Sequence, residues 1–233
     1  EDAIYDWFQK SAKITGHEKD PLAFASSLLG AAQAYRNFSQ GQNPNGEAEP
    51  GIKNTQLLGG RSIKQHFILL MAGRKLPREH FSKLANKTEK TMFSWLITGT
   101  LSKEYESRII EAAHQLREVT ADKFDAFISK YLVSERAAVG KQFEQALMTL
   151  KTGDVRNFRL RYLLAKLTQY IDLEAYGSSE SRSQLIDYTS GGNDVEHILP
   201  DQGHADAIAE FGAGGNDQDI IQSLGNLLLI EKS

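Results

Sequence analysis

Close to the end of the chain, Asn193 to Gln202 reads NDVEHILPDQ, placing a carboxylate directly before an imidazole and following both with Ile-Leu-Pro. A neutral imidazole takes a proton from water near pH 7. A carboxylate suits a hard cation such as Mg²⁺, which takes oxygen ligands and keeps several waters. Together the two groups would serve phosphodiester hydrolysis: the metal neutralises charge growing on the phosphate while the base activates the attacking water. On an extended strand Glu196 and His197 point to opposite faces, so joint service at one centre requires a bend, and the step into Pro200-Asp201 is compatible with one. Asp194, His204 and Asn226 are further polar groups that such a centre would gather. From residue types and spacing alone, a structural Glu-His pair remains the simpler reading.

The bulk numbers narrow the field without choosing. The chain has 233 residues, 40% of them apolar and 24% charged, which is ordinary globular composition with room for one large domain and a smaller unit. Net charge is −3, from 27 basic and 30 acidic residues. That argues against nucleic-acid binding by overall charge, yet a local basic face needs only a handful of Lys and Arg. There is no cysteine, which excludes disulfides, Cys-zinc sites and thiol nucleophiles and suits a cytoplasmic location. The longest apolar runs, FILLM and LLLI, are too short to span a bilayer, so no membrane partner is expected. EDAIYDWFQK has no basic region followed by an apolar core and is not a secretory signal.

The elements that must position the Glu-His stretch are mostly helices. In DPLAFASSLLGAAQAYRNF, Asp20 is a good N-cap and Pro21 fits the first helical position. Leu22, Ala25, Leu28, Leu29, Ala32 and Tyr35 recur at helical spacing and predict one buried stripe. SQGQNPNGEAEPG is a loop or a joint between helical layers, and SIKQHFILLM starts the next helix at Ser62. The stretch from Leu76 to Ser102 predicts two helical pieces, with Phe81, Leu84, Phe93, Trp95, Leu96 and Ile97 supplying core volume. SKEYESRIIEAAHQLREV follows with Ser102 as N-cap and Tyr105, Ile109, Ala112 and Leu116 on one stripe. No repeat of fixed period is present.

The helix near Asp154 to Leu173 carries more information. Leu160, Leu163, Leu164, Leu167 and Ile171 predict its buried face, with Arg156, Arg159, Tyr162 and Lys166 on another face and Arg161 nearby. A solvated charged face explains this pattern; a phosphate-contacting edge is the functional reading. After Gly177 the character changes. GSSESRSQ is a polar joint, LIDYT and VEHIL predict short strands, HADAIAEFG a short helix, AGGND a flexible joint, and QDIIQSLGNLLLI a helical turn, a Gly225 break and an apolar strand. The predicted fold class is mainly α: a helical bundle over 1–176, then a small α+β unit over 178–233.

DVEHILPDQ followed by LGNLLLIEKS resembles the HNH (ββα-metal) nuclease motif in the version found at the C-terminus of GmrSD-like modification-dependent restriction endonucleases. Glu196, His197, Ile198 and Pro200 match its first block; Gly225, Asn226, Leu227, Leu229 and Ile230 match its second. RLRYLLAKL resembles the helix that leads into that domain. The resemblance is specific over about forty C-terminal residues and implies a DNA endonuclease. His197 would be the general base, Glu196 the acidic metal ligand and Asn226 the residue that holds the loop and helps orient the histidine. Asp194 and His204 have no assigned role and stay second-tier. The implied metal is Mg²⁺, and the implied partner is DNA, possibly modified, flanked by Arg156, Arg159, Arg161 and Lys166.

The family pattern also has a further Asn or His on a closing helix, about nine residues beyond the position of Asn226, whereas the sequence runs only to Ser233. A nucleotide-binding ParB-like domain precedes the helical connector in the family, and its segments are not in the sequence. Both features imply a fragment, with a truncated nuclease unit, weak or absent metal binding and nucleotide binding only through that preceding domain. The alternative is a non-catalytic helical scaffold that binds DNA or protein and keeps a decayed HNH remnant. A helical hydrolase using His66, His80 or His114 lacks a nucleophile-and-base motif around any of the three.

Overall fold

The structure is a computed structural model that describes residues 2–59, 62–177, 184–201, 205–212 and 216–232. The chain runs through α1 (Asp2–Lys10), α2 (Ala12–Thr15), α3 (Pro21–Ser39), α4 (Pro50–Gly59), α5 (His66–Ala72), α6 (Arg78–Ile97) and α7 (Ser102–Leu116). It continues through α8 (Phe124–Ile128), a π-helical turn over Ser129–Val133, α9 (Ser134–Ala138), α10 (Gly140–Thr149) and α11 (Asn157–Tyr176). Then come α12 (Leu185–Thr189), β1 (Asn193–His197), α13 (Ala205–Phe211), α14 (Gln218–Ile221) and β2 (Leu227–Glu231). The fold is mainly α with a two-stranded antiparallel ribbon. No helix among the described residues is long and apolar enough to cross a membrane.

The core is organised around α6, a single helix rather than the two pieces expected. Phe81, Leu84, Met92 and Trp95 are buried on it, and Thr91 donates its hydroxyl to the Leu132 carbonyl at 3.2 Å. Helix α4 packs on α6 so closely at Gly51 that a Cβ there would lie 2.6 Å from the Ala85 carbonyl carbon, which only glycine avoids. Tyr105, Ile109, Ala112 and Leu116 of α7 are buried as expected. Ser102 is not the cap of α7: Leu101 holds the N-cap position and no side chain caps the helix.

Helix α3 corrects the stripe predicted for it. Asp20 caps it, its carboxylate accepting from the Ala23 amide at 2.9 Å, and Pro21 opens the helix. Yet Leu22, Leu28, Leu29 and Tyr35 are exposed, and the buried residues are Ala34 and Phe38. Phe38 meets Phe67 and Phe81 with ring centroids 5.7 Å away in each case, so α3 joins the core through its C-terminal end. Periodicity identifies an apolar stripe, but burial requires a partner along its length.

LIDYT is likewise a helix, α12, and not a strand. The Gln184 amide donates to the Asp187 carboxylate at 3.3 Å, which fixes the first turn, and Leu185 and Tyr188 are then spaced to bury one face against α11. The Tyr188 hydroxyl donates to the Asp172 carboxylate at 2.8 Å. The polar joint at 178–183, the AGGND glycines and His204 lie outside the described residues, as do Gly60 and Arg61.

Candidate functional site

The ribbon pairs Asn193 with Glu231, Asp194 with Ile230, Val195 with Leu229, Glu196 with Leu228 and His197 with Leu227. Pairing through His197 keeps the strand extended, so alternation sends Asn193, Val195 and His197 to one face and Asp194 and Glu196 to the other. Val195, Leu227 and Leu229 pack with Leu160 and Leu164 of α11. Asn193 is buried, with its amide donating to the Asp187 and Tyr188 carbonyls at 3.1 Å each. Glu196 is exposed. His197 is half-buried, and its Nε2 is buried with no hydrogen-bond partner. Buried ring nitrogens are ordinarily paired, and the Nε2 of His197, like both ring nitrogens of His66, has no partner among the described residues.

The bend needed to bring the stretch together lies beyond His197, at Ile198 and Leu199, and Asn226 makes it. Its Oδ1 accepts from the Leu199 amide at 2.7 Å, and its Nδ2 donates to the carbonyls of Leu199 at 2.9 Å and Ile221 at 2.8 Å. Its backbone carbonyl accepts from the Ile198 amide at 2.9 Å. Asn226 is only 6% exposed, so this buried amide uses both ends of its side chain to clasp the chain leaving β1 to the chain entering β2. Only a carboxamide offers an acceptor and two donors in one plane, and Gln, one methylene longer, would carry it beyond this short reach. The Asp201 carboxylate accepts from Gln222 at 2.6 Å and closes the outer side of the same loop.

The unit is also fastened to the helical body. The segment preceding α11 reaches over it, with the Leu224 amide donating to the Leu150 carbonyl and the Thr152 amide to the Gln222 carbonyl, at 3.0 Å each. Lys151 pairs with Asp219 of α14 at 2.7 Å. On the far side Arg161 donates to the Asn193 carbonyl at 2.8 Å and pairs with Asp194 at 3.3 Å, a carboxylate shared with Lys232, also at 3.3 Å. Asp194 is thus held by two cations. Lys232 and Gln222 had no signal in the sequence beyond being polar, because their partners are distant in the chain.

Helix α11 departs from its predicted stripe. Tyr162 is fully buried against Phe93, ring centroids 5.2 Å apart, while Leu167 and Ile171 are exposed. The first half of α11 is wrapped by α4 and α6-side residues on one side and the ribbon on the other, so it is buried nearly all round; the second half emerges from the body. The four basic residues therefore do not share one face. Lys166 pairs at 3.0 Å with Glu89, a fully buried carboxylate that burial pushes up from its ordinary range against the pull of Lys166. Arg161 is spent on the ribbon. Arg156 is exposed at the N-cap of α11, and Arg159 lies in its first turn with its Nε buried and unpaired. Burial and the charge of Arg156 hold Arg159 below the usual guanidinium range. Two cations at the positive end of a helix dipole repel it, and an anion there would relieve both.

The described donors do not make a metal shell by themselves. Among the described residues no three His, Asp or Glu side chains gather into one group, and Glu196 and His197 leave opposite faces of the ribbon. Among the described residues, His66, His80 and His114 are not drawn to the ribbon. His66 is buried on α5 with both ring nitrogens unpartnered and burial lowers it to about 3, His80 stacks on Phe124, and His114 is exposed on α7.

Neither the curated proteins nor the solved structures give a match to the chain. Residues 138–233 match the family described as GmrSD restriction endonucleases, C-terminal domain, a span that contains α11, the ribbon, His197 and Asn226. Residues 138–233 are therefore similar to the C-terminal domain of GmrSD restriction endonucleases.

Proposed function

We propose that the protein cuts DNA by hydrolysing phosphodiester bonds, with an HNH-type site on the ribbon and His197 as general base. The observation that supports this reading is the coincidence of the family match with a ribbon histidine whose buried Nε2 has no partner. In this reading His197 accepts the proton of the attacking water. Asn226 is a positioning residue: its three side-chain hydrogen bonds fix the loop directly after the histidine and so limit where the imidazole sits. A divalent ion, Mg²⁺ by donor chemistry, would neutralise phosphate charge; Glu196, its acidic ligand in the resemblance, leaves the ribbon face opposite His197, so the ribbon alone does not bring the two to one centre. The described donors do not complete that site, so the chemistry assigned to the chain's own residues stops at proton transfer and positioning. Arg156 and Arg159 are the cations best placed to hold a flanking phosphate, because neither has a carboxylate partner among the described residues; Arg161 and Lys166 act through the fold instead.

The domain division in this proposal follows the sequence: a helical connector over 1–176 and the nuclease unit over 178–233. Cleavage of plasmid DNA by the full-length protein with Mg²⁺ tests it. His197→Ala is expected to lose cleavage by about a hundredfold or more, within the range a positioned general base contributes, while keeping its melting temperature. Undiminished cutting by His197→Ala would remove the catalytic assignment and favour a scaffold that binds DNA without cutting it.

A further inference from the structure

A cavity of about 970 Å³ opens between α3, α5, α6 and α7, on elements that do not carry the ribbon. Its floor is apolar and partly aromatic. Tyr35, 44% exposed, stands edge-on to the buried Phe67 with ring centroids 5.5 Å apart, leaving a tyrosine ring turned partly to solvent. Its walls carry Lys64, Arg74, Lys75 and Arg117, and among the described residues no carboxylate lines it. Four cations without an acid depart from a chain whose net charge is −3. Among the described residues none of the four has an ion-pair partner, and Arg74 uses only one nitrogen, on the Met71 carbonyl at 3.1 Å. His80, also in the wall, keeps a buried Nδ1 that no group satisfies.

These features select a ligand with two ends. A purely apolar guest would leave the four cations without an anionic partner, and a simple anion would leave the aromatic floor uncovered. Small-molecule sites of several hundred Å³ combine an apolar lining with a few polar groups that fix orientation, and Arg and Lys match phosphate oxygens with charge-assisted hydrogen bonds. We infer that this cavity binds an organophosphate with a flat apolar body, of the kind a mononucleotide presents, either free or as one unit of a single strand. The ring lies against Tyr35, and the phosphate is taken by Lys75 and Arg117 at the open side, with Lys64 and Arg74 adding field. The site shares no residue with the ribbon, so its test stands or falls apart from the nuclease reading.

Isothermal titration of the protein with adenosine 5′-monophosphate tests this, with adenosine and inorganic phosphate as half-ligands. Adenosine monophosphate is expected to bind at one site, and each half-ligand about tenfold more weakly or worse, since one charge-assisted contact set is worth about that factor. Lys75→Gln with Arg117→Gln removes two exposed charges, so the melting temperature is expected to hold while affinity falls about tenfold or more. Tyr35→Ala weakens adenosine monophosphate and leaves inorganic phosphate unchanged. The pair Lys103→Gln and Lys141→Gln, exposed elsewhere, changes neither. A five-nucleotide single strand that displaces adenosine monophosphate identifies the strand as the source, and one that does not identifies the free nucleotide. Binding of adenosine monophosphate no tighter than adenosine, or unchanged in the Lys75→Gln, Arg117→Gln variant, overturns the inference.

Discussion

Replacing Asn226 with alanine should open the loop after His197 while leaving the helical body intact. The wild-type side chain makes three hydrogen bonds of 2.7, 2.9 and 2.8 Å from a position 6% exposed. A net contribution of roughly 1 kcal/mol for each gives about 3 kcal/mol for the clasp, and the Leu199 amide and two carbonyls are left without their partner. Because the loss is local, its clearest readout is hydrogen exchange. The Leu199 amide should exchange about a hundredfold faster, since each 1.4 kcal/mol is about a factor of ten. The Ile198 amide, bonded to the Asn226 backbone carbonyl, should change less. Asn226→Asp sharpens the test: the Leu199 amide keeps an acceptor, but an oxygen replaces the donor that faces the Leu199 and Ile221 carbonyls, so the loop should loosen at least as much as in the alanine variant. If the Leu199 amide in Asn226→Ala stays as protected as in the wild type, the clasp does not hold the loop and the positioning role fails.

Three further outcomes follow from the helical body. Burial lowers His66 from 6.5 to about 3, so the folded imidazole stays neutral in that window while the unfolded chain takes up a proton. Stability should therefore fall as pH drops from about 6.5 toward 3, by up to about 1.4 kcal/mol per pH unit, and urea melts of His66→Phe should show a shallower acid slope. Gly51→Ala pushes a Cβ to within 2.6 Å of the Ala85 carbonyl carbon, and overpacking of this kind costs about 1–3 kcal/mol, visible as a lower melting temperature. Lys166→Met strands the buried Glu89 carboxylate and should destabilise by roughly 3 kcal/mol, whereas adding Glu89→Leu should restore most of that loss in denaturant melts.

The sequence by itself determined the helical class, the Asp20-Pro21 start of α3, the core stripe of α7 and the pair of short blocks around Glu196, His197 and Asn226. Each is a local matter: a cap needs an acceptor three residues before a free amide, a stripe needs apolar spacing, and a strand needs alternation. What it could not supply was the partner. The leucines of α3 and the Leu167–Ile171 end of α11 have the right period yet face solvent, because no second surface among the described residues reaches them. LIDYT has strand-forming composition but becomes a helix because α11 offers Leu185 and Tyr188 a face at helical spacing. Glu89, Lys166, Arg161 and Asp194 look like ordinary surface charges in the sequence, and only the packing of α6, α11 and the ribbon turns them into paired anchors. Residue types set which chemistry is available at the ribbon; long-range packing decided which of the charged groups are free to take part in it.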